Sequence, residues 1–285
     1  MSASIEPPNE APSIALVLGA GGTRGWAHVG VIEVLHEARL PVDLVVGASA
    51  GSLIGALYAA RRDAGFVRRV ATSFTPTEFL EWFLRDLRIA PDAGRMGRRL
   101  WRACGRLDFS QLALPFAAVA IDLNSRRPVA IRQGNVARAV EASIRPPVIS
   151  RPVDYDGLSL VDGGLQNAVP VSAARQLGAS FVVSVGVGEL FRLPRPLRPF
   201  SGDLSAAFAA VSLAPDDVNG QIAFMGDLLS RERPPRARAD LEIRPDMRGL
   251  SSMWPWHIPA AIERGRRAAR RALPELQRAL AARAV

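Results

Sequence analysis

Residues 47–51 read Gly47-Ala48-Ser49-Ala50-Gly51, between an apolar run at 42–46 and a second apolar stretch at 53–60. A serine in a Gly-x-Ser-x-Gly turn from strand to helix is a nucleophile elbow: the bend is so sharp that only small neighbours fit, and the hydroxyl is lifted out of the turn. Gly47 and Gly51 are the small residues this geometry requires at the turn's two ends. A serine hydroxyl attacks poorly until a base takes its proton. Asp162, which opens Asp162-Gly163-Gly164 after the apolar run 158–161, is the candidate base, with Gly163 and Gly164 permitting a tight turn that holds the carboxylate in place.

A second glycine-rich turn, Gly19-Ala20-Gly21-Gly22-Thr23-Arg24-Gly25, follows a strand pattern and opens a helix. Two phosphate-binding readings fail on spacing. Counted from Gly19, a dinucleotide loop needs glycine where Arg24 stands, and no Gly-Lys-Ser/Thr is present for a P-loop. An oxyanion hole fits: backbone N–H groups without side chains can point at a developing negative oxygen near a helix N-terminus. A glycine turn serving close packing alone is the other reading. The three histidines are His28, His36 and His257. The order Ser49, Asp162, His257 matches a Ser-Asp-His triad, while a two-residue site would use Asp162 itself as the base.

The surrounding elements must position these groups. Residues 14–18 and 42–46 read as buried strands, and 25–38 and 50–62 as helices, an order that predicts a parallel sheet with helices packed on it. Strands are expected at 116–121 and 129–131, a helix at 136–144, and a hairpin through Asp156-Gly157. A helix at 171–177 and strands at 181–187 and 241–243 follow, with a Pro- and Arg-rich loop at 190–202 and helical sequence at 203–231. The final helix, 258–282, is expected to break near Pro274.

The 285 residues carry 36 basic against 27 acidic side chains, a formal charge of +9, and the basic set is all arginine. Such a surface favours anionic membranes, acidic partners or nucleic acid, but the arginines are scattered and no nucleic-acid motif appears, so no nucleic-acid partner is expected. One cysteine, Cys104, excludes an intrachain disulfide framework and fits a reducing compartment. Residues 1–12 carry acids and prolines rather than a leader pattern, and no apolar run is long enough to span a membrane.

Three ordered motifs together, LGAGGTRGWAHVGVIEVL at 18–35, GASAGSLIGALYA at 47–59 and VDGGLQNAVPV at 161–171, resemble the patatin-like phospholipase family. The likeness is greatest to its short bacterial members, similar to the patatin domain of neuropathy target esterase. The resemblance covers about residues 13–187. It implies a patatin-like three-layer α/β/α fold with a mainly parallel central sheet. It also implies hydrolysis of phospholipid or lysophospholipid esters by a Ser-Asp dyad, with no metal and no cofactor. Ser49 matches the family nucleophile, Asp162 its general base, and Gly21 and Gly22 its oxyanion-hole glycines. Arg24 matches the basic residue after them, and Asn167 an asparagine common after the Asp-Gly-Gly turn.

This chain departs from the family pattern at Ala20, at Ala168 and at 142–148, where Arg145 stands at a serine position and Val148 at a glycine. These differences bear on substrate preference and rate, and a chain that keeps the fold without turnover, as a membrane-associated protein, is a further alternative. The expected organisation is a tail at 1–12 and one hydrolase domain at 13–285. Within it, 66–112 is a helical insertion or cap and 258–285 a C-terminal helix. That helix carries Arg264, Arg266, Arg267, Arg270, Arg271, Arg278 and Arg283 and could rest on anionic lipid. The expected location is cytoplasmic, with peripheral contact at the inner membrane surface.

Overall fold

The computed structural model describes residues 14–85, 87–147, 150–166, 168–188 and 237–283. The expectations for 1–12, Val148, Asn167, 190–202 and 203–231 lie outside the described residues. Among the described residues, eight strands form one sheet: β1 (Ile14–Leu18), β2 (Leu44–Ala48), β3 (Phe116–Asp122), β4 (Pro128–Ile131), β5 (Val153–Tyr155), β6 (Leu158–Asp162), β7 (Phe181–Val185) and β8 (Leu241–Ile243). Their order is β5-β6-β3-β2-β1-β7-β8, with β4 also paired to β3. The run β3-β2-β1-β7-β8 is parallel, and β4, β5 and β6 pair antiparallel.

The α-helices among the described residues are α1 (Ala27–Glu37), α2 (Ala50–Arg61), α3 (Ala64–Ala71), α4 (Pro76–Leu84), α5 (Gly94–Leu100), α6 (Val136–Ile144), α7 (Val171–Gln176) and α8 (Ile258–Ala281). Successive strand side chains alternate between the two sheet faces. Leu16, Leu18, Val45, Phe116, Val183 and Ile243 join the larger core beneath α1, α2, α3, α6 and α8. Ala15, Val17, Val46, Ala117, Val119 and Val182 face the other way, against α7. With helices on both faces, the central strands are apolar throughout, as in β1, whose five residues are all buried.

Two expectations are corrected. The second strand begins and ends two residues later than its apolar run, because its pairing to β3 continues through Gly47 with Ala118 and Ala48 with Val119. Helix α8 runs unbroken through Pro274. Proline removes one N–H from the ladder, but Pro274 is on the solvent side, where the orphaned carbonyl meets water, and Leu276 beyond it is buried in the core. The helix is clamped to α1 by backbone approach. A Cβ at Gly265 would lie 1.9 Å from the Ala27 carbonyl oxygen, and one at Gly30 2.0 Å from that of Ile262. Buried Glu33 of α1 pairs with Arg266 of α8 and with Arg68 of α3, so Arg266 is turned inward.

The pairing pattern of β3 brings two strand ends together. Val119 pairs with Ala48 of β2 on one edge and Ala130 of β4 on the other. The next residue, Ala120, pairs with Val129 of β4 and Asp162 of β6. β4 holds one edge continuously, so β2 and β6 share the opposite edge, end to end. β2 runs parallel and β6 antiparallel to β3, and their C-terminal ends therefore meet at Val119-Ala120.

Candidate active site

Ser49 follows the last residue of β2 and precedes the first residue of α2, with φ 52° and ψ −125°. A non-glycine residue in this sparsely populated region costs about 1–3 kcal/mol and is held only where the surroundings impose it. Here they do. A Cβ at Gly47 would lie 2.4 Å from the Gly51 carbonyl oxygen, and one at Gly51 2.1 Å from that of Leu18. The Ser49 N–H donates to Ser143 Oγ at 3.0 Å, and the Ser143 hydroxyl donates to the Val119 carbonyl at 2.6 Å. The Ser49 carbonyl accepts from the Ser52 hydroxyl at 2.7 Å and the Ser52 N–H at 2.8 Å.

The Ser49 hydroxyl donates to Asp162 Oδ2 at 2.7 Å, and Asp162 Oδ1 accepts the Gly164 N–H at 2.7 Å. Gly163 permits the turn: a Cβ there would lie 2.0 Å from the Val119 carbonyl oxygen. The Asp162 N–H donates to the carbonyl of Arg145, whose guanidinium faces buried Glu141 at 3.9 Å. Asp162 is 1% exposed, and burial pushes its carboxyl up to about 6, against the opposing pull of the bonds from Ser49 and Gly164. A carboxylate in hydrogen-bond reach of a hydroxyl, with its proton affinity raised toward neutrality, can accept that proton and return it to a leaving group.

The glycine-rich turn lies beside this pair. Gly22 lines the same cleft as Ser49 and Asp162, with φ 56°, a left-handed conformation that suits glycine. Gly21 packs against Val187, which a Cβ would approach to 2.3 Å. The N–H groups of Gly21 and Gly22 donate to no other group among the described residues. Ala20 keeps a negative-side φ, and its N–H donates to the Ala168 carbonyl at 2.7 Å, so the methyl is accommodated. Arg24 does not line the cleft. Its Nε donates to the Leu250 carbonyl at 2.8 Å, and Thr23 binds the carbonyls of Ser251 and Ser252.

The cleft encloses about 760 Å³ including its open mouth. Ser49, Asp162 and Gly22 form its polar end; Trp26, Leu53, Phe79, Trp82, Phe83, Leu87, Ile144 and Met253 make the remainder apolar. An apolar slot ending at a hydroxyl–carboxylate pair suits a long alkyl chain carrying one reactive carbonyl. Among the described residues, no group of His, Cys, Asp and Glu has a metal-binding arrangement.

None of the histidines contacts the serine or the aspartate. His257 ends the 3-10 turn Pro255–His257 and does not line the cleft. His36 lies 3.5 Å from the Tyr58 hydroxyl. His28 is fully buried, its Nε2 donates to the Gly19 carbonyl at 2.7 Å, and burial lowers its pKa to about 4, so it is a neutral strut under the glycine-rich turn. Ser143, Ser52 and His28 were not legible as site residues, since each acts through one bond to backbone distant in sequence or through a turn. Only the segment containing Ser143 carries a signal, as part of the stretch at 142–148 where the chain departs from the family pattern.

A family model described as Patatin-like phospholipase matches residues 16–175. The chain is 37% identical over 187 residues to Patatin-like phospholipase domain-containing protein 6 of Mus musculus, covering 62% of this chain and 14% of that protein. It is 32% identical over 183 residues to an uncharacterized NTE family protein of Mycobacterium bovis, covering 63% and 50%. Lysophospholipase nte1 of Aspergillus fumigatus is 30% identical over 258 residues, covering 85% and 17%. The chain thus spans half or less of the length of these relatives. The solved structure of VipD from Legionella pneumophila shares the fold, with a TM-score of 0.57 at 13% identity over 93% of this chain and 67% of that one.

Proposed function

Because the chain belongs to the patatin-like phospholipase family, we propose that it is a serine acyl hydrolase that cleaves carboxylic esters of phospholipids or lysophospholipids through Ser49 and Asp162. The direct 2.7 Å hydrogen bond from the Ser49 hydroxyl to Asp162 carries this reading, since it leaves no place for a histidine between them. The acyl chain lies in the apolar cleft with its carbonyl carbon over Ser49 Oγ. Oγ attacks as its proton passes to Asp162 Oδ2. The carbonyl oxygen becomes an oxyanion and takes the N–H groups of Gly21 and Gly22, beside the positive N-terminal end of α2. The intermediate collapses, the alcohol leaves with the proton from Asp162, and the acyl group stays on Ser49. Water then gives its proton to Asp162 and attacks the acyl carbon, and Ser49 regains a proton as the fatty acid departs.

Supporting roles follow from the contacts. Ser143 and Ser52 hold the strained elbow, Gly47, Gly51, Gly163 and Gly164 allow the two turns to meet, and Arg24 pins the glycine turn to the loop at 250. The test is reaction with a fluorophosphonate, followed by release of fatty acid from lysophosphatidylcholine measured by mass spectrometry. The probe is expected on Ser49 and absent from Ser49→Ala. Asp162→Asn is expected to lose turnover and His257→Ala to keep it. A probe mapped to another serine, or a loss in folded His257→Ala as deep as in Ser49→Ala, would overturn the dyad.

A further inference from the structure

Five large apolar side chains are exposed among the described residues: Leu80, Leu84, Met253, Trp254 and Trp256. All five fall on two elements, α4 and the loop at 253–256. The two elements touch, since α4 packs against the 3-10 turn Pro255–His257. Trp254 and Trp256 are stacked, ring centroids 5.0 Å apart and planes 9° apart, yet they remain 45% and 59% exposed. Helix α4 is apolar on both sides: Phe79 and Trp82 face inward, and Leu80 and Leu84 face out. A helix on a protein surface ordinarily turns one polar face to water, and an apolar patch gathered in one place marks an interaction site.

The position of the patch indicates its partner. The inward side of α4 and Met253 line the cleft that ends at Ser49, so the exposed apolar surface is continuous with the slot proposed for the acyl chain. Stacked indoles are amphipathic and settle where hydrocarbon meets headgroups. Arg85, which follows Leu84 directly and pairs with Glu81, and Arg248, which pairs with Asp246 and has a side chain 91% exposed, flank the patch in sequence on a chain of net charge +9. Arg266 of α8 is turned inward, engaged with Glu33 and Glu37.

We propose that α4 and the 253–256 loop form the lipid-facing surface of this protein, seating the mouth of the cleft on a bilayer so that an acyl chain passes from membrane to Ser49 without crossing water. This rests on the lipid hydrolase reading for its purpose, but the binding it requires can be measured without turnover. In the catalytically silent Ser49→Ala protein, flotation with vesicles of phosphatidylcholine and phosphatidylglycerol is expected, with a blue shift in tryptophan emission. Adding Leu84→Ser, Trp254→Ser and Trp256→Ser, none of which lines the cleft, is expected to weaken vesicle binding by about tenfold or more. The same three changes in the active protein are expected to reduce hydrolysis of vesicle lipid by a similar factor and leave a soluble p-nitrophenyl ester unaffected. Undiminished flotation of the triple variant would overturn the proposal. So would a wild-type dimer that ignores vesicles and that the triple variant converts to monomer, since the patch would then be covered by a second copy. Vesicle binding lost in the triple variant, with no hydrolysis by the parent protein, would uphold the surface and sink the hydrolase reading instead.

Discussion

Replacing Asp162 by Asn is expected to abolish turnover and, at the same time, stabilise the fold. Asp162 is 1% exposed, and burial moves its carboxyl from 3.8 to about 6. Two factors of ten in proton affinity, at 1.36 kcal/mol each, put the cost of keeping this carboxylate ionised in the folded chain at about 3 kcal/mol. A folded-state pKa above the unfolded value contributes stability that is complete below about pH 4 and is lost as pH rises through about 6. Asparagine is neutral throughout. Its Oδ1 can keep the Gly164 N–H, and its amide N–H can donate to the Ser49 oxygen, so the replacement leaves no orphaned group at either contact. Urea unfolding of wild type and Asp162→Asn from pH 4 to pH 8 is therefore expected to give curves that nearly coincide at pH 4, separate between 4 and 6, and stay apart by about 1–3 kcal/mol at pH 8. Wild-type turnover is expected to rise through about pH 6, as the base ionises. A variant less stable than wild type at pH 8, or a gap equal at pH 4 and pH 8, would refute the argument that burial sets the state of this carboxyl.

Ser143→Ala removes the acceptor for the Ser49 N–H and is expected to cost about 1–2 kcal/mol of stability and to lower kcat more than it changes KM, measured by denaturation and steady-state kinetics. Gly22→Val forces a β-branched residue into a positive φ at the cleft wall and disturbs the proposed oxyanion donor; a rate loss of about a hundred- to a thousandfold, with unchanged far-ultraviolet circular dichroism, is expected. Gly265→Ala puts a methyl against the Ala27 carbonyl and is expected to destabilise the α1–α8 contact by about 1–3 kcal/mol, read as a lower Tm, while fluorophosphonate labelling of the folded fraction persists.

The local chemistry of this chain is written in its sequence. Small residues around Ser49 and after Asp162 can be read as sharp turns, because a Cβ in a tight turn has few places to go. The apolar runs mark the buried strands, and β1, α6 and β8 stand at the residues expected for them; in β1, covered on both faces, no polar alternation is left to misread. What the linear chain leaves open is the meeting of residues 113 positions apart. That contact depends on β3 offering one edge to two strands in turn, with β2 ending at Val119 and β6 at Ala120. Register along a shared edge is a property of the assembled sheet and has no local signature. The same holds for Ser143, whose hydroxyl bridges Val119 and Ser49, and for His28, which supports Gly19 from inside α1. It holds too for the raised proton affinity of Asp162, because desolvation is set by what packs around a group, not by its neighbours in sequence. Pro274 shows the converse: propensity predicted a break, and burial of Leu276 on the far side of the proline keeps α8 whole, because tertiary packing outweighs one missing hydrogen bond at a solvent-facing position.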